Sequence, residues 1–101
     1  MHRYIRVEEA LTQLEINLEF LESLASEDVI HLKRTTEDEL VLSADDLDRV
    51  RVAVLLTREL EVNLAGVEVI VHMRDAMKDM QRQFGDVLEA VVEEMRRRTT
   101  R

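Results

Sequence analysis

Residues Ile16–Ile30 read INLEFLESLASEDVI, and this stretch decides the fold. Asn17 is a favourable helix N-cap, and Leu18, Leu21 and Ala25 then recur on one side at helical spacing. The opposite flank carries Glu15, Glu19 and Glu22, and no Lys or Arg occurs in the stretch. The sequence therefore predicts a short amphipathic helix of uniformly negative charge. Upstream, Glu8–Leu14 reads as a second short helix with Ala10, Leu11 and Leu14 on one face. A strand-like entry segment, Tyr4–Val7, precedes it, and Glu15-Ile16 forms the turn between the helices. Two helices and a tight turn within about twenty residues make a helix-turn-helix unit.

Downstream, the short apolar runs Val29–Leu32 and Leu40–Leu42 flank the polar segment KRTTEDE, residues 33–39. This is the pattern of a small β-hairpin. Ser43 opens the next helix, with Asp46 placed three residues on to complete a capping box. That helix runs to about Leu60. It is apolar at Leu47, Val50, Val54 and Leu55 and again at Val52, Leu56 and Leu60, a band wide enough for the central core helix.

Asn63 caps a last helix that runs to about Arg98, a length of over 50 Å at about 1.5 Å per residue. Ile70, Met77, Phe84 and Val91 are spaced by seven, and Met73, Met80 and Val87 repeat with the same period offset by three. This is an a/d heptad seam, broken at Glu94. Gly85 within it marks a kink or a close helix crossing. A protruding helix cannot leave such a seam in water. A second copy of the chain is the simplest partner, and folding back on its own domain is the alternative. The domains are then 1–62, a winged helix-turn-helix, and 63–101, a coiled-coil dimerisation arm.

Composition narrows the class. With 101 residues and 46% apolar content the chain is one globular domain with an arm. No apolar run approaches the roughly 18 residues of a membrane span, and MHRYIRVEEA lacks the apolar core of a signal peptide, so a cytoplasmic location is expected. Without cysteine there is no disulfide and no thiolate metal site. Two glycines and no proline favour long uninterrupted helices.

Of the formal net charge of −8, residues 8–48 alone contribute −11, from 13 acidic and two basic side chains. Such a surface repels phosphate and attracts basic partners, unless it serves only to keep the protein in solution. Catalytic groups are scarce. His2, His31 and His72 lie in three different elements without helical partners, His31 with the hairpin and His72 on the outside of a helix. Ser23, Ser26 and Ser43 read as helix-surface and cap residues rather than nucleophiles. Two glycines cannot build a phosphate loop, and Asp45-Asp46 reads as helix N-terminal charge. The expectation is a non-enzyme with no cofactor and no metal.

This order of elements resembles the MerR-like winged-helix superfamily: all-α with a small β-hairpin wing, followed by a long coiled-coil helix. Ile16–Ile30 aligns without gaps to that superfamily's second-helix signature, commonly V-S-P-R-T-L-R-Y-Y-E-R-L-G-L-I, with Ile16, Asn17, Leu21, Val29 and Ile30 matching in kind. LEVNLAGVEVI, residues 60–70, is similar to a segment of HspR-type heat-shock repressors and of CbpM-type chaperone modulators. In DNA-binding relatives the second helix enters the major groove, with Arg and Tyr where this chain has Glu22 and Ser23, and commonly a base at Glu19. Three carboxylates there oppose phosphate. Lys33 and Arg34 in the wing are too few to offset them.

That departure resembles the chaperone modulators, which bind the J-domain of a DnaJ-like co-chaperone and block its action on the Hsp70 (DnaK) partner. The family's binding site carries no sharp motif, so the partner-binding charges are read from this chain's own acidic face: Glu15, Glu19, Glu22, Glu27 and Asp28. Phe20 is either an apolar anchor or buried against the wing. Dimerisation is assigned to Ile70, Met73, Met77, Met80, Phe84, Val87 and Val91. A transcriptional regulator of heat-shock genes is the alternative function.

Overall fold

The computed structural model describes residues 3–99. The elements are β1 (Tyr4–Arg6), α1 (Val7–Leu14), α2 (Leu18–Ser26), β2 (Lys33–Arg34), β3 (Leu40–Ser43), α3 (Ala44–Arg58) and α4 (Leu64–Thr99). His2 lies outside the described residues.

The turn between α1 and α2 is made by Glu15 in the left-handed region, φ 53°. It is fastened from both sides. Ile16 N–H donates to Leu11 O at 3.1 Å, while the Arg58 guanidinium at the end of α3 donates to Leu14 O at 3.2 Å and to Glu15 O. Asn17 caps α2 as expected, its Oδ1 accepting from Phe20 N–H at 2.8 Å. The far end of α2 closes in a Schellman motif. Val29 N–H donates to Leu24 O and Asp28 N–H to Ala25 O, with Asp28 left-handed at φ 61°. Leu24 and Val29, the apolar pair that accompanies this motif, are both buried.

Two expectations for this unit are corrected. The buried face of α2 is Leu21 with Leu24, whereas Leu18 is 40% exposed and looks toward Leu11 and Leu40. Val29 and Ile30 are buried without being a strand, because the Schellman corner turns the chain straight into the core. The hairpin's first arm is Lys33–Arg34 instead. It pairs antiparallel with β3 in the register Lys33↔Val41 and Arg34↔Leu40. Asp38, left-handed at φ 64°, follows a turn closed by Asp38 N–H to Thr35 O, giving a three-residue loop with a bulge. β1 adds a third strand on the other side of β3, in the register Tyr4↔Ser43.

Ser43 caps α3, accepting from Asp46 N–H at 3.0 Å. Only half of the expected capping box forms, because the Asp46 carboxylate is used elsewhere. It is 5% exposed, accepts from His31 N–H at 3.2 Å and pairs with Arg49 at 2.8 Å. α3 is the central helix, burying Leu47, Val50, Ala53 and Leu56. It ends at Arg58, so Leu55 and Leu60, expected in the core, are exposed: Leu60 lies beyond the helix and Leu55 on its outer side.

α4 is 36 residues long and unbroken through both Gly85 and Glu94. Asn63 Oδ1 accepts from Gly66 N–H at 2.9 Å. A Cβ at Gly66 would stand 2.6 Å from Val62 Cγ1, so any larger residue there would have to displace the Val62 side chain. Val67 and Val71 complete the core of the winged unit. Beyond them, α4 is held to α3 by charge. Arg49 joins Asp46 to Asp75 (2.9 Å), and Asp48 pairs with Arg74 (3.0 Å) and Lys78 (3.3 Å).

Partial burial by itself raises the Asp48 pKa, but hydrogen bonds and charge from Arg74 and then Lys78 outweigh it and hold it below the usual carboxylate value. Its contribution is therefore complete above about pH 4, the ordinary Asp range, and is lost as pH falls through that range and the lowered folded-state value. Thermal melts from pH 6 to pH 3 should show a steeper loss of Tm in the wild type than in Asp48→Asn. Equal slopes would show that the clamp adds nothing.

Candidate protein-binding surface

Glu19 and Glu22 stand on the exposed side of α2, Glu27 caps it and Asp28 sits at its corner. Glu15 belongs to the preceding turn rather than to the helix, so the continuous stripe on α2 is Glu19 with Glu22. None of Glu15, Glu19, Glu22 or Glu27 takes part in an ion pair among the described residues. Asp28 is backed by both histidines of the described chain. Its carbonyl is 3.2 Å from His72 Nε2 and its carboxylate 4.0 Å from His31 Nε2. His72 thereby ties the base of α4 to the end of α2.

The cations that flank this helix are already engaged. Arg34 pairs with Asp38 at 3.2 Å and donates to its carbonyl. Arg6 pairs with Glu9 at 3.2 Å and lies 3.9 Å from Glu39. Lys33 donates to Tyr4 Oη at 3.3 Å and lies 5.4 Å from the ring centroid, within cation–π range. Arg34 and Arg6 are ion-paired and Lys33 is engaged by Tyr4, while Glu19 and Glu22 on α2 keep their negative charge without an ion pair among the described residues.

Phe20 is not buried against the wing. It is half-buried against α3, lining a cleft of about 200 Å³ with Ile16, Val54, Thr57 and Arg58. The apolar side chain that α2 does expose is Leu18. It lines a separate cleft of about 380 Å³ between the helix-turn-helix and the wing, floored by Leu11 and Leu40. Leu18 was missed because the spacings 18–21–25 and 21–24 are both helical. Only the buried pair Leu24–Val29 at the C-terminal corner fixes the rotation of α2.

The sequence model of the MerR HTH family regulatory proteins matches residues 5–88. The chain belongs to the MerR HTH family. None of the curated proteins matches it. Membership agrees with the architecture: a MerR-type helix-turn-helix, its wing, and most of the long helix fall inside the matched span. The family is a regulatory one. No cluster of three metal-ligating side chains occurs among the described residues, and no described helix is long and apolar enough to cross a membrane.

The exposed face of α2 is acidic at Glu19 and Glu22. A second surface runs along α4. Ile70, Met73, Met77, Met80, Phe84, Val87 and Val91 are all exposed, Met80 to 67% and Phe84 to 66%. The stripe does not stop at Glu94. Met95, four residues after Val91, continues it with a 3-4-4 step and is also exposed. Nothing lies within 4 Å of a Cβ placed on Gly85, so no contact within the chain requires glycine there.

Proposed function

We propose that this MerR-family protein is a non-catalytic chaperone modulator working in the cytoplasm. In this reading it pairs with a second copy through α4 and binds the J-domain of a DnaJ-like co-chaperone through its acidic helix-turn-helix face, blocking the co-chaperone's action on Hsp70. The observation that carries the reading is the unpaired charge on α2. Glu19 and Glu22 occupy the helix that a DNA reader turns to phosphate, and each phosphate contact there would be repulsive. A basic helix, as a J-domain presents to Hsp70, meets that face with complementary charge. The seam of α4 supports the homodimer, since seven exposed apolar side chains at heptad spacing are stable in water only when covered.

The other reading is a DNA-binding regulator of heat-shock genes. It is favoured by family membership and by Lys33 and Arg34 on the wing. Both of those cations are engaged within the chain, which weakens it. The two readings separate in one pair of assays. With a labelled J-domain the protein should form a saturable complex. Against its own promoter region, gel shifts at moderate salt should show no specific band. A nanomolar sequence-specific DNA complex would overturn the modulator reading.

A further inference from the structure

The cleft between the helix-turn-helix and the wing has an apolar floor in Leu11, Leu18 and Leu40. Leu18, at the start of α2, is 40% exposed, while the buried face of the helix is Leu21 with Leu24. Carboxylates flank the floor at helical spacing. Glu8 is three residues before Leu11 on α1, and Glu22 is four residues after Leu18 on α2, so each lies beside its leucine. The cations at the rim, Arg6 and Arg34, are paired with Glu9 and Asp38. Glu8, Glu19 and Glu22 are in no ion pair among the described residues.

An apolar floor between unpaired carboxylates is complementary to an apolar side chain between cations. A helix carrying one large aliphatic or aromatic residue, with Lys or Arg three and four positions away, has that pattern. About 380 Å³ is near the low end for a ligand pocket, enough for one or two inserted side chains rather than a whole helix. We infer that this cleft is the apolar anchor site for a basic amphipathic helix of a partner protein, with Leu18 in place of Phe20 as the anchoring contact. The inference deepens the proposed function and rests on its assignment of α2 as the face of a basic partner. Pairs of exposed charges contribute little each, so a cleft of this kind is what turns attraction into useful affinity.

The test uses the full chain and two probes. One is the J-domain of a DnaJ-like co-chaperone. The other is a synthetic 18-residue helix with a single Leu flanked by Lys at three and four positions. Leu18→Gln should weaken both complexes by roughly five- to tenfold, as expected for a leucine partly buried on binding. Leu55→Gln, on the outer side of α3, should change neither. Methyl NMR of the unmodified protein keeps the test valid if Leu18→Gln destabilises the fold: Leu11, Leu18 and Leu40 signals should shift on adding either probe. Tight J-domain binding indifferent to Leu18→Gln, with unmoved leucine methyls, overturns the inference and leaves the modulator reading standing. Leu18-dependent binding of the synthetic helix with no J-domain binding does the reverse. Binding of neither probe overturns both.

Discussion

Met77→Lys combined with Met80→Lys is expected to leave the protein monomeric at tens of micromolar, where the proposed pairing through α4 predicts a dimer for the unmodified chain. Both side chains are exposed in the single chain, so the winged unit is untouched. In the dimer they occupy adjacent a and d positions, and each lysine there would be buried without a partner, at a cost of several kcal/mol. Two together raise the dimer dissociation constant by at least about a thousandfold. Helix content should fall as well. Beyond Lys78 no ion pair joins α4 to α3 among the described residues, and a weakly supported helix of some twenty residues is marginal in water. Light scattering and far-UV circular dichroism measure both effects. A monomer for the unmodified protein, or a dimer for the double variant, would contradict the assignment.

Asp46→Ala should cost about 2–4 kcal/mol of folding stability, or a fall in Tm of roughly 10–20 °C for a domain of this size. The Asp46 side chain is 7% exposed and makes two part-buried hydrogen bonds. His31 N–H would lose its acceptor, and Arg49 would keep only Asp75. Partial burial by itself lowers the Arg49 pKa, but Asp75 and then Asp46 outweigh it and hold it raised. Asp46→Asn keeps an acceptor for His31 and should cost less than the alanine. Differential scanning calorimetry of the two variants separates the lost hydrogen bond from the lost charge. A melt for Asp46→Ala within about 2 °C of wild type would show that this network is not structural.

The helix starts were legible in the sequence because a cap is a local event. Asn17, Ser43 and Asn63 each bond a backbone N–H three residues on, and residue type and spacing are enough to see it. The corners were not. Among the described residues, every non-glycine residue at positive φ is acidic: Glu15, Asp28, Asp38 and Glu61. Neither glycine does that work, so scarcity of glycine did not mean scarcity of turns. The corner at Glu15 is held by a contact distant in sequence, Arg58, and that at Asp28 by the buried pair Leu24–Val29, whereas that at Asp38 is closed locally by Thr35 O and Arg34. The same cause explains the misplaced strand. Val29 and Ile30 have strand-like residue types, but the corner at Asp28 commits them to the core before pairing can begin.

Of the candidate site, the charge was legible and the anchor was not. Carboxylates at Glu19 and Glu22 need only helical spacing to be placed on one exposed flank. Whether Leu18 or Phe20 reaches solvent depends on how α2 is rotated against α3, and that is set by Leu24 with Val29 and by the cleft in which Phe20 meets Val54. The seam on α4 was legible over three heptads. Its continuation to Met95 was hidden because a 3-4-4 step replaces the expected heptad at Glu94.

The most direct test of the central claim is calorimetric titration of a DnaJ-like J-domain into wild type and into Glu19→Lys/Glu22→Lys, each at low and at moderate salt. Both side chains are exposed on α2, so the double reversal should fold normally. The wild type should bind more tightly at low salt, and the reversal should bind at least about tenfold more weakly there and lose most of its salt dependence. If the double reversal binds the J-domain as tightly as wild type at low salt, the acidic face of α2 is a solvated surface and the partner site lies elsewhere.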